Sequence, residues 1–158
     1  MNEAHLHLLI NDTPVFGTMA GVAFLVIGLI ARKDLLKLVG LWILLLAGLA
    51  TIPTVITGHG AEEVIEHLPG VDASIIHAHE EAAELVYPFA ILLGVASGAA
   101  LVIHKYVPRI RKVSVYVVLG LAIVVAAMVS WTATLGGRIR HPEVRPGFDT
   151  KELKFDAR

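Results

Sequence analysis

The sequence predicts an all-α membrane protein: a four-transmembrane-helix bundle with both termini on the outer side. Three observations carry that reading. The chain of 158 residues is 56% hydrophobic, has a mean hydropathy of +0.72 and is only 17% charged, whereas soluble domains are about one quarter charged. Its apolar residues gather in four runs, 14–31, 38–56, 85–103 and 113–135, none of which contains Asp, Glu, Lys or Arg. Seven of the thirteen basic residues lie in the two short links, as Arg32, Lys33 and Lys37 in one and Lys105, Arg109, Arg111 and Lys112 in the other, and the other six lie in the tail from Arg138 to Arg158.

Each run is long enough to cross a hydrocarbon core of roughly 30 Å at about 1.5 Å per helical residue. Backbone groups in lipid must be bonded within their own segment, so the runs are helices. The first, 14–31, carries Gly17-x-x-x-Gly21. The second, 38–56, ends among Thr51, Pro53, Thr54 and Thr57. The third helix is expected to begin outside the membrane, over 73–104, with Asp72 as its N-cap. Pro88 is a kink site in it, and Ala90, Gly94, Ser97 and Gly98 form a stripe of small residues. Such small faces are read as ordinary bundle packing. The fourth, 113–135, ends on Ser130, Trp131, Thr132 and Thr134. Between the second and third runs lies an outer loop, 57–84, in which 61–68 reads as a short amphipathic helix stopped by Pro69-Gly70. Residues 1–135 then form the membrane domain and 136–158 a polar outer tail.

Positive residues stay on the cytoplasmic side of a membrane, so the basic links face inward, and the termini and the loop 57–84 face outward. The implied location is a bacterial inner (cytoplasmic) membrane, crossed several times. With no cysteine in the chain, disulfides, Cys-ligated zinc, iron–sulfur clusters and covalently attached c-type haem are excluded. A net charge of −1 gives no reason to expect nucleic acid. The apolar runs carry no ionisable group of the kind that marks the path of a pump, channel or coupled transporter. No Gly-x-Ser-x-Gly, His-Glu-x-x-His or phosphate-binding glycine loop occurs, so no catalytic set is assigned.

Histidine is the residue type that stands out, with eight in the chain. All but His104 fall on the expected outer side. The loop 57–84 holds four of them with seven acids and no Lys or Arg, a surface that attracts cations. His59, His67, His77, Glu63 and Glu80 are its candidate metal ligands. Imidazole with carboxylate suits zinc, copper or iron. Residues two apart on a helix point about 200° apart. In His5-x-His7, His7 is the residue nearer the bundle. In His77-x-His79, His79 continues into Ala82, Ala83 and Val86 and faces inward, whereas His77 continues into Glu80, Glu81 and Glu84 and faces water. Two inward histidines on different helices at one membrane surface can ligate a b-type haem. The alternative for any one of them is an interfacial, hydrogen-bonded side chain.

Three stretches, His7-Leu-Leu-Ile-Asn11-Asp12-Thr-Pro14-Val-Phe-Gly17, His79-Glu80-Glu81-Ala82-Ala83 and Leu135-Gly136-Gly137-Arg138-Ile139-Arg140-His141-Pro142, resemble motifs of an uncharacterised family of bacterial four-helix membrane proteins. Asp12 stands where that pattern has a second histidine, and His59 where it has an acid. Some relatives are similar to fusions with cytochrome c domains, which implies redox work at the outer face and a cytochrome c-type or other redox partner in the membrane. The resemblance selects His7, His79 and His141 as cofactor-binding candidates, with haem b as the cofactor and a transition metal ion (Zn, Cu or Fe) as its alternative. A non-redox metal-binding protein, an accessory subunit of a larger membrane complex, and a homo-oligomer are the remaining expectations.

Overall fold

The computed structural model of the chain describes residues 2–69 and 71–148. The last part of the polar tail, 149–158, and the Gly70 half of the Pro-Gly stop lie outside the described residues. Among the described residues five α-helices follow one another: α1 (Glu3–Ile10), α2 (Thr13–Ile30), α3 (Asp34–Ile65), α4 (Ala73–Tyr106) and α5 (Arg111–Arg140), with a 3-10 turn over Pro142–Val144. Together α1 and α2 form one broken span, interrupted at Asn11-Asp12. Four helical stretches are therefore long and apolar enough to cross a membrane. They run up and down as a bundle, α3 against α2 and α4, and α5 against α4 and α2. We call the end that carries α1, the 66–72 link and the C-terminal turn the terminal end.

The helices outrun their apolar segments. The loop expected over 57–84 shrinks to 66–72, because α3 runs on through Ile65 and α4 begins at Ala73. The segment 61–68 is thus the last turns of α3 and not a separate helix. Likewise α5 continues through Gly136-Gly137 to Arg140, five residues beyond the expected membrane boundary. The reason is local. Main-chain i→i−4 bonds do not depend on side-chain polarity, so a helix leaves the bilayer wherever no breaker stops it. At the end of α5 the stop is Pro142, which has no N–H for the Arg138 carbonyl; the Arg145 side chain donates there instead, from Nε (2.8 Å), and from Nη2 to the Ile139 carbonyl (3.1 Å).

Lipid is as apolar as leucine, so burial alone gives these helices little reason to associate; close approach does. The glycines supply it. A Cβ added at Gly17 would lie 2.8 Å from Ala47 Cβ, and one at Gly21 would run into Leu44. The Gly17-x-x-x-Gly21 motif therefore seats α2 on α3 within one chain. A Cβ at Gly48 would lie 2.7 Å from Gly94 Cα and 2.8 Å from the Ala90 carbonyl oxygen, so the small stripe of α4 is where α3 crosses it. Leu25, Leu41, Leu44, Leu93, Val118 and Val125 fill the centre. Outside, Phe16, Ile30, Trp42, Leu49, Ile56, Leu92, Val95, Val102, Val117 and Trp131 are exposed, an apolar girdle far beyond what a water-soluble monomer presents. The chain is a multi-pass membrane protein whose outer surface meets lipid.

Two helix ends bear on later points. Asp72 caps α4 as expected, its carboxylate accepting from the Ser74 amide (2.9 Å) and the Ser74 hydroxyl (2.7 Å). Those bonds hold the Asp72 carboxyl below its ordinary range. A carboxyl depressed by folding stabilises the fold above its unfolded value and loses that contribution as pH falls through its folded value. Protection of the first-turn amides of α4, relative to their intrinsic exchange rate at each pH, is accordingly expected to fall on acidification in the native chain and to be low at every pH in Asp72→Ala. At the end of α2, Arg32 adopts φ 54°. Its amide bonds to the Leu29 carbonyl (3.3 Å) and that of Lys33 to the Gly28 carbonyl (3.0 Å), the helix-terminating pattern that ordinarily uses glycine. An arginine there costs about 1 kcal/mol in backbone strain.

Candidate functional site

The core gives out toward the terminal end, and a cavity of about 380 Å³ opens between the helices there. His7, His59, His79 and His141 all line it, with Glu62, Glu80, Glu84 and Arg140 around them and Val15, Ile76, Val86 and Val129 on its apolar part. Thr51 and Thr54 of α3 and Thr132 of α5 also line it, yet their hydroxyls bond carbonyls of their own helices, at Ala47, Ala50 and Met128. The polar residues at this end therefore both satisfy their helices and border a pocket.

Two of the histidines are fixed in the same way. His7, half-buried on α1, bonds through Nδ1 to the Thr54 carbonyl of α3 at 3.0 Å. His79, half-buried on α4, bonds through Nδ1 to the Thr132 carbonyl of α5 at 2.9 Å. A carbonyl oxygen can only accept, so each Nδ1 carries the proton, and in the neutral ring Nε2 keeps its lone pair. One turn beyond each threonine stands a glycine against the imidazole. A Cβ at Gly58 would lie 3.3 Å from His7 Cε1, and one at Gly136 would lie 2.9 Å from His79 Cε1. Thr54-x-x-x-Gly58 and Thr132-x-x-x-Gly136 are thus two copies of one seat.

The register around the seats repeats as well. If His7 is matched to His79, the buried residues Pro14, Thr18, Gly21, Leu25 and Gly28 of α2 fall on Val86, Ala90, Leu93, Ser97 and Ala100 of α4, all buried. If Thr54 is matched to Thr132, Gly40, Leu44, Ala47, Thr51, Thr57 and Ala61 of α3 fall on Val118, Ala122, Val125, Val129, Leu135 and Ile139 of α5, again all buried. Helical periodicity explains the spacing alone. It does not explain why a histidine and its seat fall in the same register in both halves. The bundle is two like hairpins, and each brings one oriented histidine to the cavity.

The other candidates divide. His141 is at the cavity's edge, exposed, with Nδ1 2.9 Å from the Glu143 carboxylate. That contact, with the Glu143 backbone amide ahead of it, holds the Glu143 carboxyl below its usual range. His59 Nε2 is 3.8 Å from Glu80, and ligand atoms of His59, Glu80 and Glu84 lie within 4.8 Å of one another. His77 points outward, 3.7 Å from Glu80 and 3.5 Å from Glu81. His67 lies beyond the end of α3, exposed and 3.2 Å from Glu66, and Glu63 is exposed; neither is brought into the metal-type group. The sequence placed Glu80 and Glu84 on one face with His77, whereas the structure groups them with His59; Gly58 and Gly136 were missed, and their sequence signal is the repeated Thr-x-x-x-Gly.

No protein-family model, curated protein or solved structure matches the chain.

Proposed function

We propose that the terminal-end cavity holds a metal centre between His7 and His79, haem b in the leading version, and that the protein carries electrons at the outer face of a bacterial inner membrane. One observation carries the reading: histidines from different helices share one cavity, and each Nδ1 is tied to a backbone carbonyl while Nε2 stays available. This is the arrangement by which proteins orient metal-ligating imidazoles, and helical bundles build cofactor sites from facing helices in this way. The cavity volume lies within the range of small-molecule and cofactor sites.

The residues present fit the group. His7 and His79 would hold it, and His141, tied to Glu143 at the rim, would not. Val15, Val86 and Val129 keep water from the inner part, and Arg140 supplies a cation for carboxylate edges. Bound haem would supply one-electron chemistry. The basic links supply the orientation, since Arg32, Lys33, Lys37, Lys105 and Arg109 all lie at the opposite end. A cytochrome c-type or other redox partner would then meet the terminal end.

The test is the optical spectrum and metal content of protein purified in mild detergent. A Soret band, or stoichiometric metal, that is lost in both His7→Ala and His79→Ala and kept in His141→Ala is the expected result. No band and no metal in the native protein refutes it.

The His59, Glu80 and Glu84 group favours a second reading, a non-redox divalent cation site at the mouth of the same cavity. Zinc titration by calorimetry separates the two. Binding that disappears in His59→Ala and survives in His79→Ala belongs to the second.

A further inference from the structure

A second cavity, of about 470 Å³, opens at the opposite end of the bundle. Arg32, Lys37, Arg111 and Lys112 line it together with His104 and Tyr116, over an apolar floor that includes Leu29 and Val115. Among the described residues one carboxylate stands beside these cations: Asp34, 2.6 Å from Lys37 Nζ and 3.9 Å from Arg111. Lys112 lies 5.9 Å from the Tyr116 ring centroid. A single carboxylate among four fixed cations leaves a strong positive excess.

Two buried nitrogens there have no partner. His104 is only 9% exposed, and neither its Nδ1 nor the Nε of Arg111 has a hydrogen-bond partner among the described residues. Buried polar atoms almost always find partners, so Arg111 Nε, always a donor, and His104 Nδ1, a donor when it carries the ring proton, mark a place beside the cavity for a ligand's acceptors. Arg32 adds an independent sign. It occupies the left-handed position at the end of α2 that glycine would fill without strain, and its side chain lines this cavity. Backbone strain kept at a site points to a use for the side chain.

We infer that this cavity is a binding site for a phosphate group. Phosphate is acceptor-only, carries negative charge and matches the guanidinium fork. The apolar floor beside the cations would take the first carbons of an acyl chain, and basic pockets between transmembrane helices hold anionic headgroups in this manner. An anionic phospholipid and free inorganic phosphate both present a phosphate of net negative charge, and the experiment separates them; a zwitterionic phospholipid brings a choline cation that the basic side chains repel.

Protein in an uncharged detergent is exposed to dioleoylphosphatidylglycerol or dioleoylphosphatidylcholine and examined by native mass spectrometry. Inorganic phosphate is titrated in parallel by calorimetry. Retention of the anionic lipid about tenfold above the zwitterionic one, with no heat from phosphate, assigns a lipid. A phosphate heat without lipid selectivity assigns a soluble ligand. Arg111→Gln and Lys37→Gln should each reduce the native response about tenfold, the loss expected for one charge-assisted contact. Arg32→Gly is the variant that cannot fail by unfolding: it relieves the strained backbone, so it should raise the melting temperature while weakening binding. Equal retention of both lipids with no phosphate heat overturns the assignment, and so does selectivity that persists unchanged in Arg32→Gly.

Discussion

Gly136→Ala is expected to weaken ligand binding in the terminal-end cavity by about 10- to 100-fold, the usual cost of disturbing an outer partner of a metal-bound histidine. The added methyl would sit 2.9 Å from His79 Cε1 and 3.2 Å from its Nδ1, closer than a Cβ contact allows. The imidazole must then leave the position from which it donates to the Thr132 carbonyl. Binding of the Soret-active group, or of zinc where that is the ligand, reads the loss directly. The same helix supplies the control. Gly120 has nothing within 4 Å of an added Cβ, so Gly120→Ala should leave binding intact and add about 0.5–1 kcal/mol of helix stability. If Gly136→Ala behaves like Gly120→Ala, the seat has no role. Gly58→Ala meets His7 at the looser distance of 3.3 Å and should show a smaller loss in the same direction.

Gly48→Val is expected to destabilise the bundle by about 3 kcal/mol or more, at the upper end of what overpacking costs. Its first new carbon would meet Gly94 Cα at 2.7 Å, the Ala90 carbonyl oxygen at 2.8 Å and the Gly94 amide nitrogen at 2.9 Å. All three are backbone, so no side chain can turn aside, and α3 and α4 must separate. Without hydrophobic drive between helices in lipid, the contacts given up at that crossing are not replaced. Gly98, four residues along the same stripe, would place its methyl 3.7 Å from Leu45 Cδ1, an ordinary contact. Gly98→Ala should therefore be tolerated. Unfolding in detergent with increasing denaturant measures both, and equal midpoints for Gly48→Val and the native chain would contradict the packing described.

The spans were legible because hydrocarbon imposes a long uncharged run; three expected runs lie within spanning stretches, and the first passes the end of its own by one residue, Ala31. The 100° step per residue also separated His79 from His77. Other features left no trace in hydropathy. The extension of α3 through Ile65 and of α5 to Arg140 reflects backbone bonding that continues in water. The seats depend on which carbonyl meets which ring, as with Thr132 and His79, and a glycine's absence of side chain shows its purpose only when the neighbour is seen. The second cavity was hidden for another reason. Arg32, Lys37, Arg111 and Lys112 read as topology signals, and their convergence around His104 exists only once α2, α3, α4 and α5 are assembled.

The two hairpins have a thermodynamic consequence for whatever the terminal-end cavity holds. Each half orients its own histidine without help from the other, His7 through Thr54 and His79 through Thr132. Neither half alone offers both of these rings. A ligand taking both rings would therefore act as a clasp between halves, adding its binding free energy to their mutual adhesion and nothing to the cohesion within either. Chain cut within the 66–72 link would recover its partner most firmly when that clasp is supplied.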